Sequence, residues 1–258
     1  MSKLYRFNPL VQNLAIELST YEILNAKIPS AFDGFRIVLI ADLHNTRFGK
    51  QQERLIKHVI HKKPDLIVFS GDQIDRRRYA IEPVLELVAG LKDVAPMYFI
   101  TGNHECKSRY GAMTSQRLIE EGLILLDQRS IPINRENSHI WLTGIGEKVT
   151  SIEEVFQVLK SPTQDYQILV CHYPHLFDTY VKYGYDLVLA GHAHGGQWRL
   201  GRKQGWFAPD QGLLPSYTKG KFIKEKTTMI VSAGLGNSLF PLRINNFPNL
   251  VTLVLKSE

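Results

Sequence analysis

Phe35-Arg36-Ile37-Val38-Leu39-Ile40-Ala41-Asp42-Leu43-His44 is the stretch on which the reading of the fold turns. Its apolar, β-branched run reads as a strand buried on both faces, and it stops abruptly at a carboxylate and an imidazole. The same grammar returns along the chain. Leu66–Ser70 runs into Gly71-Asp72-Gln73-Ile74-Asp75, and Met97–Ile100 is followed by Gly102-Asn103-His104-Glu105. Gln167–Cys171 ends at His172, and Asp186–Ala190 ends at Gly191-His192-Ala193-His194. Each polar group stands just beyond the carboxyl end of a strand, which is where α/β sheets bind ligands.

Working outward, His139–Ile145, Thr228–Ser232 and Leu250–Leu255 read as further strands, and Asn13–Glu22 as an edge strand. Helical spacing fills the gaps. Leu55, Ile56, Val59 and Ile60 share one face; Ile81, Val84, Leu85, Val88 and Leu91 share another; Ile152, Val155, Phe156 and Leu159 a third. Ser151 with Glu154 is a capping-box candidate, and Pro174 suits the first turn of a helix running to about Lys182. Strands alternating with helices predict an α/β fold in one domain over 1–258, with residues 1–34 as an N-terminal extension. No helical pattern separates Thr228–Ser232 from Leu250–Leu255, so that region is expected to be antiparallel. The irregular segment 197–226, with four glycines, is expected to be a functional loop or hairpin near the site.

Composition sets the bounds. The chain has 258 residues, 44% hydrophobic and 22% charged, the balance of a soluble globular protein. Two cysteines argue against a disulfide scaffold and imply a cytoplasmic location, and the first thirty residues carry no signal-like apolar block. A net charge of +6 favours anionic partners. Nothing marks a nucleic-acid module, which leaves a nuclease without positive support.

Asp42, His44, Asp72, Asn103, His172, His192 and His194 offer two carboxylates, one amide oxygen and four imidazoles. Nitrogen and oxygen donors without thiolate suit manganese, iron or zinc, and the set is too large for one ion with an open position. Asp-x-His and His-x-His put side chains on one side of an extended segment.

These motifs resemble the calcineurin-like metallophosphoesterase superfamily from about Phe35 to Leu255. Gly191-His192-Ala193-His194-Gly195-Gly196-Gln197, with Gly234-Leu235-Gly236 and Pro241-Leu242-Arg243, resembles its bacterial YkuE/YaeI-type phosphodiesterase branch. The resemblance implies a layered αββα sandwich of two mixed sheets flanked by helices. It implies that Asp42, His44, Asp72 and His194 hold one metal and that Asp72, Asn103, His172 and His192 hold another. It further implies hydrolysis of a phosphodiester or pyrophosphate by a metal-bridging hydroxide, with His104 as general acid and Asp75 as its partner. Asp75 can equally be a turn or helix cap. Ala41, Ala193 and Glu105 depart from common family choices without removing a ligand. A UDP-diacylglucosamine pyrophosphatase is similar to that branch, which makes a lipid-linked UDP-sugar pyrophosphatase at the membrane surface the alternative. A non-catalytic metal-binding scaffold is disfavoured because His104 and the full ligand set are intact.

Arg76 and Arg243 are candidate substrate contacts, because guanidinium matches phosphate oxygens bidentately. After His194, Trp198, Trp206, Phe207, Leu213, Leu214 and Phe222 interleave with Arg199, Arg202, Lys203, Lys219, Lys221 and Lys224, a composition suited to peripheral membrane contact or to a packed hairpin.

Overall fold

The computed structural model describes residues 15–147, 151–159, 164–200, 204–237 and 240–258. In chain order the strands are β1 (Glu17–Leu24), β2 (Arg36–Ile40), β3 (Leu66–Ser70), β4 (Met97–Ile100), β5 (Ile124–Leu125), β6 (Arg129–Arg135), β7 (Ser138–Ile145), β8 (Gln167–Cys171) and β9 (Leu187–Ala190). They continue as β10 (Arg199–Leu200), β11 (Gln204–Gly205), β12 (Phe207–Ala208), β13 (Gly212–Leu213), β14 (Gly220–Lys224), β15 (Thr227–Val231) and β16 (Asn249–Lys256). The helices are α1 (Glu53–His61), α2 (Glu82–Leu91), α3 (Asn103–Cys106), α4 (Gly111–Glu120), α5 (Ile152–Val158) and α6 (Phe177–Lys182).

Two six-stranded mixed sheets form the centre, in the orders β1-β16-β2-β3-β4-β5 and β14-β15-β9-β8-β7-β6. Strands β2 through β5 run parallel, as do β7, β8, β9 and β15. Side chains alternate across each strand, so one apolar run feeds two cores. Ile37 and Leu39 of β2 meet Ile168, Val170 and Leu189 of the opposite sheet in the central layer. Val38 and Ile40 turn the other way and pack against Leu55, Val59, Val84 and Val88 of α1 and α2. On the far side Leu169, Val188 and Met229 pack against Phe156, Phe177 and Tyr180 of α5 and α6. The result is the expected helix–sheet–sheet–helix sandwich.

With both faces apolar, alternation alone does not set the register of β2. A one-residue slip would simply exchange two buried sets. The polar end does set it, because the slip would drag Asp42 into the sandwich. An unpaired buried charge costs far more than the ~1.5–3 kcal/mol gained from one buried aliphatic side chain.

Antiparallel pairing does occur near the C-terminus, but β15 and β16 do not pair with each other. β15 lies in one sheet, antiparallel to β14 and parallel to β9, whereas β16 crosses to the other sheet and lies between β1 and β2. β16 is antiparallel to β2 and parallel to β1, which is the edge strand expected near the N-terminus. The segment after His194 forms two small antiparallel hairpins, β10–β11 and β12–β13, before β14 joins the second sheet. The start of the N-terminal extension, 1–14, lies outside the described residues, as do Arg202 and Lys203.

Candidate metal centre

The carboxyl ends of β2, β3 and β4 from one sheet meet those of β8 and β9 from the other, and the polar groups beyond them converge. Ligand atoms of Asp42, His44 and His194 gather within 4.8 Å of one another, and those of Asp72, His172 and His192 form a second such group. Asp72 stands between the two. Its Oδ2 is 3.2 Å from His172 Nε2 and 3.6 Å from His44 Nε2. All six side chains are buried.

The local backbone differs from the extended i, i+2 geometry expected. Asp42, His44, Asp72, His192 and His194 all have positive φ, between 43° and 65°. Non-glycine residues adopt this region reluctantly, and such strain collects where a site over-determines it. The chain therefore curls sharply off each strand end and turns its side chains inward. Glycines allow the loops to close on one another. A Cβ on Gly102 would overlap Asp72 Oδ1, and one on Gly71 (φ +94°) would lie 2.7 Å from His172 Nδ1.

The loops are clamped by Glu105. Its buried carboxylate accepts N–H bonds from Asp72 (2.9 Å), Gln73 (2.7 Å), Ile74 (3.1 Å) and Gly102 (2.9 Å), tying the β3 loop to the β4 loop. Burial, with the nearby charge of Asp72, pushes this carboxyl up to about 7 despite those donors. Arg243, expected at the substrate, is corrected by its position. It is 1% exposed, and its guanidinium donates to Asn237 Oδ1 (2.7 Å) and the carbonyls of Ala233 (2.8 Å) and Gly236 (2.5 Å). It holds the 233–237 loop behind Asp42, with its positive charge directed at that carboxylate.

His104 lies on α3 in the wall of the pocket above these groups. Its Nδ1 accepts the backbone N–H of Arg76 at 3.1 Å, so the ring proton sits on Nε2. Asp75 approaches Nδ1 only to 3.9 Å, and its Oδ1 instead accepts N–H bonds from Arg77 (2.7 Å) and Arg78 (3.3 Å). The turn-capping role is the one its geometry displays, and its charge reaches His104 through space. Burial lowers the His104 pKa, while Asp72 and Asp75 pull it upward.

Arg76, Arg77 and Lys107 line the pocket, together with Phe207, Pro209 and Phe240. The lysines expected at a membrane rim lie elsewhere. Lys219 pairs with Glu17 (2.6 Å), Lys224 with Asp178 (2.7 Å), and Lys221 donates to the Glu22 carbonyl (3.3 Å). One contact had no sequence signal: Asp210, in the turn between β12 and β13, lies 2.7 Å from His192 Nε2.

The donor set fits divalent metal ions. Asn103 Oδ1 lines the pocket and has no hydrogen-bond partner although buried. Imidazole nitrogens converge at 3.2 Å (His44 with His194) and 3.1 Å (His172 with His192), which gathers four potential ligand atoms in one place. On the protein's own charges, burial pushes the Asp42 carboxyl up to about 7, even with His172 alongside. Burial also pulls His44 and His194 below the usual imidazole range, so both are neutral and ready to ligate.

Residues 35–196 match the family model of the calcineurin-like phosphoesterases, and the chain belongs to that family. It is a metal-dependent hydrolase of phosphoesters, and its clustered ligands suit a divalent dimetal centre. Among individual relatives, it is 28% identical to the uncharacterized metallophosphoesterase YkuE of Bacillus subtilis (strain 168), over 94% of this chain and 86% of that one. It is 26% identical to the phosphodiesterase YaeI of Escherichia coli (strain K12), over 86% and 82% of the two chains. The fold resembles the crystal structure of TT1561 of Thermus thermophilus, with a TM-score of 0.53 at 11% identity over 78% of this chain and 90% of that one.

Proposed function

We propose that the chain hydrolyses a phosphodiester or pyrophosphate, with Asp42, His44, Asp72 and His194 holding one ion and Asp72, Asn103, His172 and His192 the other. The observation that carries this reading is the pair of ligand groups with Asp72 Oδ2 between them, at a pocket also lined by Arg76, Arg77 and Lys107. When bound, two divalent ions supply an activated water and the positive charge that offsets phosphoryl oxygens. The remaining work belongs to the chain. Arg76, Arg77 and Lys107 orient the anionic ester from the rim. His104, with its proton held on Nε2 by the Arg76 N–H, donates to the departing alkoxide. Asp75 contributes charge and the shape of the Arg76–Arg78 turn.

A diester is preferred to a monoester by analogy with YaeI, whose name describes a phosphodiesterase. The test is a screen of metal-reconstituted enzyme against phosphomonoesters, phosphodiesters, nucleotide pyrophosphates and lipid-linked pyrophosphates. Diesters or pyrophosphates are expected to be hydrolysed faster than monoesters, and a preference for monoesters overturns the assignment.

A second observation favours an amphiphilic substrate. Exposed apolar side chains adjoin the pocket: Phe207 pairs with Leu213 across its hairpin, Trp198 bridges to Ile244, and the Trp198 ring lies 5.2 Å from that of Phe240, with Trp206 and Leu214 also exposed. Such a contiguous patch beside cationic side chains suits a peripheral membrane contact. None of the described helices is long and apolar enough to cross a membrane. The protein is expected to cosediment with anionic vesicles at low salt. Leu213→Ser with Leu214→Ser should weaken that binding while leaving hydrolysis of a small soluble diester unchanged. Wild-type protein that ignores anionic vesicles at low salt would remove this reading and leave a soluble ester.

A further inference from the structure

Asp210 lies outside every motif read from the sequence, yet it makes one of the shortest polar contacts at the site. Its Oδ2 is 2.7 Å from His192 Nε2. A carboxylate facing an imidazole at that distance accepts its N–H, so Nε2 carries the proton and Nδ1 keeps its lone pair. That Nδ1 is the atom turned inward, 3.1 Å from His172 Nε2. His172 is prepared in the mirrored sense. Its Nδ1 donates to the Ser70 carbonyl at 2.8 Å, which leaves Nε2, 3.2 Å from Asp72 Oδ2, as the nitrogen available to an ion.

Asp210 is not a loose surface acid that happens to be near. It sits at φ +58° in the tight turn between β12 and β13. Its neighbour Gln211 pins that turn, donating from Nε2 to the Tyr217 carbonyl (2.9 Å) and accepting the Tyr217 N–H (3.0 Å). The backbone N–H of Trp206, one residue before β12, bonds to the carbonyls of Gly196 (3.1 Å) and Trp198 (2.9 Å), tying the hairpin to the loop that carries the histidines. The Asp210 side chain is still 54% exposed, so its loss leaves no buried cavity.

We propose that Asp210 is a positioning residue of the metal centre: it fixes the tautomer and ring orientation of His192, and so sets the affinity of the ion shared by Asp72, Asn103, His172 and His192. The inference rests on the ligand assignment proposed above. Carboxylate partners of ligating histidines typically contribute 10–100-fold in metal affinity, because they hold the ring in place and raise its basicity. The hairpin that supplies Phe207 and Pro209 to the pocket lining would thereby also support an ion held by His192.

The experiment titrates metal-stripped full-length protein with Mn²⁺ and with Zn²⁺, by calorimetry and by competition with a chelator. Wild type is expected to take up two ions. In Asp210→Ala one binding constant should fall about 10–100-fold, while the other stays within about threefold. Asp210→Asn keeps an acceptor oxygen and should recover part of the loss. The metal-free thermal midpoint should match wild type in both variants. Two unchanged constants in Asp210→Ala would overturn the inference, as would an equal loss at both sites with a lowered metal-free midpoint, the mark of a purely structural role. Wild-type protein that binds no second ion would overturn the ligand assignment itself, and that failure is read before any variant is made.

Discussion

Asp72→Asn is expected to empty both halves of the metal centre at once. Asp72 Oδ2 faces His172 Nε2 at 3.2 Å and His44 Nε2 at 3.6 Å, so one carboxylate oxygen stands between the two ligand groups, where the proposed assignment has it serve both. Burial opposes its charge, yet His172 beside it holds its carboxyl well below the usual range, and it remains an anion on the protein's own charges. An amide at this position carries no charge and turns N–H donors or a neutral oxygen toward the ions. Removing a ligating charge should cost more than the roughly 10–100-fold lost with a histidine's hydrogen-bond partner. Metal content measured by mass spectrometry should fall well below two ions per chain, and diester hydrolysis should fall with it. Two full-occupancy ions in the variant would take Asp72 out of its shared position.

His104→Ala should give the complementary result, with the metals retained and turnover lost. The structural reason is specific. The contact that binds this residue to Asp72 is its backbone N–H, 2.8 Å from Oδ1, and alanine keeps it. What disappears is the imidazole. Transfer of one proton in the transition state is typically worth about 10²–10⁴-fold, and that is the expected fall in kcat for an alkyl leaving group. A nitrophenolate leaves without needing the proton, so its loss should be much smaller. Equal losses for both leaving groups would assign His104 to gripping the phosphoryl group.

The strands that carry the site were readable because they are short, apolar on both faces and closed by a polar residue. β3, β4 and β8 have the bounds expected of them. Pairing across the sandwich was not readable. The absence of a helix between β15 and β16 says nothing about which sheet each joins, and β16 crosses to the other one. Helix α4 was missed because its apolar face is thin, with Leu118 buried and Met113 half exposed.

At the site, the sequence pointed to the strand-end residues because their spacing is local. It did not point to Asp210, whose only relation to His192 is a hairpin fold eighteen residues further on. It also misread Arg243 for a physical reason. A guanidinium after a glycine-rich loop looks like an anion contact, but its donors are satisfied by the loop's own carbonyls. The positive φ of five ligand-bearing residues has no compositional signature, since none of them is glycine.

A dinuclear centre is tested most directly by how many ions the folded chain holds and whether hydrolysis follows them. Metal-stripped protein should be reconstituted stepwise with Mn²⁺, and bound metal and hydrolysis of an activated phosphodiester measured on the same samples. Two ions per chain are expected, with hydrolysis absent in stripped protein and rising with uptake of the second ion. Saturation at a single ion with full activity, or hydrolysis that persists after both ions are removed, would contradict a dinuclear centre built on a shared Asp72.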